Sequence, residues 1–323
     1  MKNLKLHLIL ILFLINQITF SQGVLKKIVY LENDTVKYYY PEGENTTILK
    51  GRLIENLKEG TWYAYYNYSY LTDIRNYHHD TLQGNFKRFY ESGALSEESC
   101  VKNGQYNGEV RNYYENGELE WLLNYEKGYL QGNSQEYYLN GQLVCSKNYH
   151  KGIAIGEIIV YNEDGSIASS GIHDSLGVLQ GIRTEFIDGQ INSTSTYKNG
   201  FLEGEYLSYF TNGTLNEKIQ YTRDYMNGSY ISYYDNGQVR SKGEFIYGDY
   251  EGPWEHYNLD GTLESLANYE DGTGHSIVYG EAGNILSEGQ MHNEEKTGTW
   301  THYKKNGKVK YYEEISYSDN YFE

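Results

Sequence analysis

Residues Gly108–Leu119 read GEVRNYYENGEL, Gly204–Leu215 read GEYLSYFTNGTL and Gly228–Val239 read GSYISYYDNGQV. Aligned on their first glycine, the three share an aromatic pair, an Asn-Gly dipeptide and an aliphatic residue at the same places. Self-similarity at a fixed spacing decides an architecture before any local propensity does. Anchor glycines recur at Gly60, Gly84, Gly108, Gly132, Gly156, Gly181, Gly204, Gly228, Gly252, Gly274 and Gly298, at a step of 24 that changes only to 25, 23 and 22. Eleven repeats therefore cover the chain from residue 60. Residues 22–59 read as a cap or irregular first hairpin, and Tyr311 to Glu323 as an end piece.

Each repeat reads as a β-hairpin. With the anchor glycine as position 0, positions 8 and 9 are Asn116-Gly117, Asn140-Gly141, Asp164-Gly165, Asn212-Gly213, Asn236-Gly237, Asp260-Gly261 and Asn306-Gly307, and Asp188-Gly189 joins after a one-residue shift. Such dipeptides suit a two-residue type I′ turn. A looser turn, as at Lys127-Gly128 and Lys151-Gly152, ends the repeat. A two-residue loop makes position 6 face 11, position 2 face 15 and position 0 face 17, and cross-strand partners share a face. Position 11 is aliphatic, position 6 often aromatic, and position 2 holds Trp62, Phe86, Val110, Tyr230, Trp254 and Trp300. One face is therefore expected to be apolar, with the large side chain at position 17 covering the bare anchor glycine. The fold class is all-β, an elongated single-layer antiparallel β-hairpin repeat array.

Position 5 has the opposite parity and is aromatic in every repeat. Tyr113, Tyr137, Tyr161, Tyr209, Tyr233 and Tyr257 are the candidate binding stripe. Either a bulge turns these rings inward, or they line the second face.

Composition agrees with the repeat. The 323 residues include 38 Tyr and 35 Gly but only 2 Pro. Turns and aromatic strands use such a mixture, whereas an α/β enzyme core needs more aliphatic residues. The net charge of −17 repels phosphate backbones and anionic lipid, so nucleic acid and direct anionic-membrane binding are not expected. A basic protein is the partner the charge favours.

The first 21 residues read as a signal peptide. Lys2 and Lys5 precede an apolar stretch, Leu6 to Phe20, that is too short to span a bilayer. Thr19 and Ser21 are the small residues before a cut at Gln22. Removal takes two lysines and no acid, leaving −19. The expected location is periplasmic, envelope or extracellular. Cys100 and Cys145 fall on opposite faces two repeats apart, too far for a disulfide, so two unpaired thiols are expected.

No histidine pairs with Cys, Asp or Glu at ligand spacing, and His78-His79 reads as a solvated dipeptide near a turn. No catalytic, cofactor-binding or metal residues are assigned and no cofactor is expected. The repeats run on to the last residues, which leaves no expectation of an enzyme.

The G-x-W/Y-x-x-Y-Y-x-N-G-x-L unit, followed by a Tyr and a Gly, resembles the variant MORN repeat from residue 60 to about 315, and is close to the bacterial YwqK-type antitoxin family. The resemblance implies stacked β-hairpins and a non-enzymatic, protein-binding role, with neutralisation of a partner toxin in the bacterial variant. A signal peptide fits an exported immunity or envelope protein better than a cytoplasmic antitoxin. The hairpins are also similar to choline- and glucan-binding cell-wall repeats. That likeness implies an envelope glycan as the alternative ligand, with a structural scaffold as a third reading.

Overall fold

The computed structural model describes residues 27–30, 35–42, 45–67 and 69–315. The expected signal peptide, residues 1–21, and residues 316–323 of the end piece lie outside the described residues. Those described form 27 strands, from Lys27–Tyr30 to Val309–Ile315, and no helix. They divide into two compact bodies. One runs to Ser166 and includes Ser175–Gly177; the other holds Ile167–Asp174 and Val178 onwards. Within each, strands pair antiparallel with those before and after them in the chain. The all-β hairpin-repeat expectation holds.

The tight turn differs from the expected one. In the hairpin of Gln105–Tyr113 and Leu119–Glu126, the amide of Tyr114 donates to Glu118 O at 2.8 Å and that of Gly117 to Tyr114 O at 2.9 Å. Gly117 has φ +90°, whereas Asn116 stays outside the positive-φ region. This is a three-residue loop, a type I turn closed by a left-handed glycine. Asn116 is used for its side chain: Oδ1 accepts the Glu118 amide at 3.1 Å. The same bond recurs at Asn140, Asp164, Asn212, Asn236, Asp260 and Asn306. Two-residue loops with both φ values positive sit at the other end of the hairpins, as at Lys127-Gly128 (+49° and +80°) and Lys151-Gly152 (+49° and +85°). Among the described residues, only Asp188-Gly189 keeps that form at a tight turn.

The longer loop changes the register near it. Position 5, not 6, faces 11, as in Tyr113↔Leu119. Pairing resumes at Asn112↔Trp121, so Glu120 at position 12 is an extra residue, a β-bulge that restores the expected pairs Val110↔Leu123 and Gly108↔Tyr125. The loop slips the register by one and the bulge takes the slip back.

A larger irregularity marks each anchor glycine against the preceding hairpin. Ser99 pairs with Val110 and Val101 with Tyr106, so Cys100 alone faces Asn107, Gly108 and Glu109. Gly108 has φ +102°, and a methyl added to it would meet nothing within 4 Å. Backbone conformation therefore demands this glycine, and not, as expected, the ring of Tyr125 lying over it. Gly274 departs from the rule. Its φ is not positive, and Tyr269↔Gly274 and Asn268↔His275 continue without a shift. Losing two inserted residues makes the 22-residue step. The single-residue changes lie in turns: His173↔Leu179 encloses one residue more than Tyr125↔Leu130, and the Asp188-Gly189 loop is one shorter.

Positions 2, 4, 13, 15 and 17 share the buried face. Trp62 is 0% exposed, and Trp254 and Trp300 are each 1%. Each of these indoles, at position 2, lies flat on a glycine at position 15 of the hairpin before. A methyl on Gly51, Gly243 or Gly289 would come within 2.1, 2.2 or 2.5 Å of Trp62, Trp254 or Trp300. The Trp254 and Trp300 Nε1 groups donate to Glu244 O and Gln290 O at 3.1 and 3.0 Å. Where position 2 is smaller, position 15 is larger: Val110 faces Ser99 and Tyr230 faces Ile219. Large against small fills the layer between hairpins. Nor is this face wholly apolar, as expected. Positions 4, 13 and 15 bury Asp73, Arg75, Glu97, Ser99, Ser208, Ser232 and Ser241. Arg75 pairs with Asp73 at 3.0 Å, and Tyr106 donates to Glu97 at 2.6 Å. Buried polar groups persist only when so partnered.

Gly243→Ala is expected to lower stability by about 3 kcal/mol through overpacking, and by only about 1 kcal/mol in a Trp254→Val background. Urea denaturation of the four proteins of that cycle checks the coupling.

Candidate functional site

The bulge lies at position 12, so position 5 stays on the face opposite the tryptophans. Tyr113, Tyr137 and Tyr161 in the first body are half-buried there, as are Tyr209, Tyr233 and Tyr257 in the second. Tyr113, Tyr137, Tyr209, Tyr233 and Tyr257 face aliphatic partners at position 11: Leu119, Leu143, Leu215, Val239 and Leu263. Their neighbours on this face are polar. Tyr137 Oη donates to Gln135 at 2.9 Å, Tyr257 bonds Glu255, and the Lys242 ammonium lies 5.6 Å from the Tyr257 ring. Cross-strand ion pairs such as Lys87–Glu98 (2.8 Å) balance much of the charge.

The stripe is pinned from behind by position 6. Tyr90, Tyr114 and Tyr138 donate to the carbonyls of Tyr113, Tyr137 and Tyr161 in the next hairpin, at 2.6, 2.8 and 2.9 Å. In the second body Tyr234 does the same to Tyr257 at 2.7 Å. Ile187 has no hydroxyl to offer Tyr209. There the ring borders a cleft of about 230 Å³ lined by Ile187, Ile191, Tyr209 and Phe210. The phenols of Tyr90, Tyr114 and Tyr138 are held above the usual range, first by desolvation and then by nearby carboxylates, Glu120 and Glu115 for Tyr90 and Glu163 and Glu136 for Tyr138.

Two of those carboxylates, Glu115 and Glu163, belong to an edge that residue counting alone does not reveal. In the first body, four successive tight turns, Glu91–Ala94, Glu115–Glu118, Leu139–Gln142 and Glu163–Ser166, carry Glu91, Glu115, Glu118, Glu163 and Asp164, all exposed, and no Lys or Arg. The opposite turns carry exposed Lys102, Lys127 and Lys151. Glu126 and Asp174 sit among these lysines, so that end is mixed in charge where the tight-turn end is wholly acidic, and the tyrosine stripe runs beside the acidic one. The signal was in the sequence, because positions 7 to 10 form one edge once the repeat is aligned.

Other polar groups are placed as follows. Cys100 is exposed, Cys145 is buried, and both are free, as the parity argument expects. Burial pushes the Cys145 thiol up to about 11, and its Sγ lies 3.5 Å from Glu136 Oε2. Burial also raises Glu136 above its ordinary 4.5. His256 Nδ1 is 2.6 Å from Ser241 Oγ, and burial lowers its pKa. His78-His79 is exposed beside a turn, as expected, and the hairpin register also sets Glu59 next to it.

Six segments, residues 82–103, 106–127, 130–151, 202–222, 226–247 and 250–271, match the MORN repeat variant family. These hairpins thus carry variant MORN repeats. The stretch between the third and fourth segments holds the lengthened loop after His173 and the shortened turn at Asp188-Gly189. No curated protein matches the chain. Among solved structures it is similar to the Tc holotoxin pore of Photorhabdus luminescens, at 11% identity and a TM-score of 0.18 over 83% of this chain and 17% of that one. It is similar also to a porin-like protein from Bacteroides uniformis, at 12% identity and 0.18 over 79% and 93% of the two chains. A protein from Lactobacillus plantarum aligns at 11% identity and 0.12 over 80% and 82%. The fold assignment rests on the strands and their register, not on these alignments.

Tyr114→Phe is expected to cost about 1 kcal/mol, the worth of one lost hydrogen bond, and to leave the far-ultraviolet spectrum unchanged. Glu136→Gln is expected to raise the melting temperature at pH 7. A carboxyl whose folded pKa is raised binds more protons folded than unfolded, so it weakens the fold as pH climbs past 4.5. The gain should vanish below about pH 4, which a pH series of melting curves reads directly.

Proposed function

We propose that the protein is a non-enzymatic binding module whose acidic tight-turn edge and neighbouring tyrosine stripe receive the basic surface of another protein. The observation that carries this reading is the edge itself: five exposed carboxylates in four stacked turns with no cation among them. Such an edge attracts a basic partner over a Debye length of about 8 Å at physiological salt. The rings of Tyr113, Tyr137 and Tyr161 add contact area at low entropy, because the strands and the tyrosine hydroxyls behind them already hold their backbone. A toxin-like basic protein is the partner class that the MORN-variant antitoxin resemblance favours. Export through residues 1–21 makes immunity or envelope binding the setting.

A pull-down against the source cell's envelope and secreted proteins tests the reading at low and high salt. A basic protein retained at low salt and released at high salt is expected. The triple variant Glu115→Lys, Glu118→Lys, Glu163→Lys should bind it at least about tenfold more weakly while melting normally. Undiminished binding by that variant, or salt-insensitive retention of polysaccharide alone, would overturn the proposal. Export has its own check: the secreted protein should begin at Gln22 by mass spectrometry.

A further inference from the structure

In most hairpins a Glu, Gln or Asn just before the anchor glycine clamps the two-residue turn of its own hairpin. Its side-chain oxygen accepts the amide of position 19, as in Gln83 with Asn103, Gln131 with Lys151, Gln180 with Asn199, Glu203 with Arg223 and Glu251 with Asp271. Glu59 does the same for His79, at 2.9 Å. The first hairpin then departs from the pattern. Beside its carboxylate clamp, both position 18 and position 19 are histidines. The second Glu59 oxygen, Oε1, lies 3.0 Å from His78 Nδ1, and His78 Nε2 lies 3.1 Å from His79 Nδ1, with the rings perpendicular. The ligand atoms of all three residues lie within 4.8 Å of one another.

We infer that Glu59, His78 and His79 form a binding site for a divalent transition metal of the zinc or copper class. Two imidazole nitrogens bound at ~2.0–2.1 Å to one ion at a tetrahedral angle lie about 3.3 Å apart, close to the spacing found. Imidazole is the donor these metals prefer. Glu59 supplies the outer contact: by accepting from His78 Nδ1–H it selects the tautomer whose Nε2 lone pair is free for the ion, as carboxylate–histidine–metal triads do. The backbone is already fixed. The Lys58 amide donates to Asp80 Oδ1 at 2.7 Å, the Asp80 amide to Lys58 O at 3.0 Å, and His79 holds φ +48°. Both rings are mostly exposed, so water completes the coordination and an ion enters without any movement of the fold.

The repeat supplies substitutions that its own geometry accepts. Asn103 occupies position 19 elsewhere, Thr222 occupies position 18, and Gln83 occupies the clamp position. Titration of the whole protein with zinc chloride by calorimetry, and with copper(II) followed by electron paramagnetic resonance, is the test. The expected result is one equivalent fewer for His79→Asn and for His78→Thr, and about tenfold weaker binding for Glu59→Gln, with melting curves unchanged. Stoichiometry and affinity equal to the unaltered protein in both histidine variants would overturn the assignment. Full affinity in Glu59→Gln would overturn the role given to the carboxylate. A histidine variant that melts early is replaced by the other, since each removes one ligand.

Discussion

The bond from the position-10 amide to the Asn or Asp side chain at position 8 closes seven of the tight turns. It selects a three-residue loop, and that loop sets which residues face one another next to it. Tyr113 is thereby placed against Leu119, and the bulge at Glu120 becomes necessary if Val110 is to face Leu123. The faces follow from these two adjustments. One receives the tryptophans and the buried serines, and the other receives the tyrosine stripe and the ion-pair ladder.

Reading the residues reaches the repeat, the hairpin and the outer register, because each leaves a periodic mark. Gly60↔Tyr77 and Gly132↔Tyr149 pair as the spacing requires. The inner register is not recovered, since Asn-Gly suits both a two- and a three-residue loop. The discriminating feature is a side chain accepting a backbone amide, which is chemistry and not spacing. The match of Trp254 to Gly243 was legible in principle. It needs position 2 of one repeat compared with position 15 of the one before, and reading each repeat by itself conceals it. The spacing leaves position 5 either inward or on the second face, and the register sets it on the face opposite the tryptophans. The acidic edge and the grouping of Glu59 with His78-His79 emerge only when turns of successive hairpins are set side by side.

The interior of the hairpin stack is layered along each strand. Near the two-residue turns, aromatic rings pack together, as Trp254, Tyr250, Tyr269 and Phe245 do, with Trp254 lying on Gly243. Near the three-residue turns the same face carries Ser208, Ser232 and Ser241. Hydroxyls are small and can bond along the stack, so they tolerate a narrow space that aliphatic branches would overfill. In the first body the corresponding place holds the Asp73, Arg75, Arg88 and Glu97 cluster. Removing one partner there would leave a buried charge uncompensated.

The uneven steps between anchor glycines amount to a grammar for insertion and deletion. Single-residue gains and losses fall in turns, after His173 and at Asp188-Gly189, where no side chain depends on strand parity. Within a strand the change is two residues, at Gly274, which keeps every later side chain on its own face. A gene encoding such an array can drift in length through paired losses in strands and lone ones in turns. A lone deletion inside a strand would exchange the tryptophan face for the tyrosine face from that point to the next turn. Lengthening the array by whole hairpins meets no such barrier, so duplication is the easiest way for this architecture to change its reach.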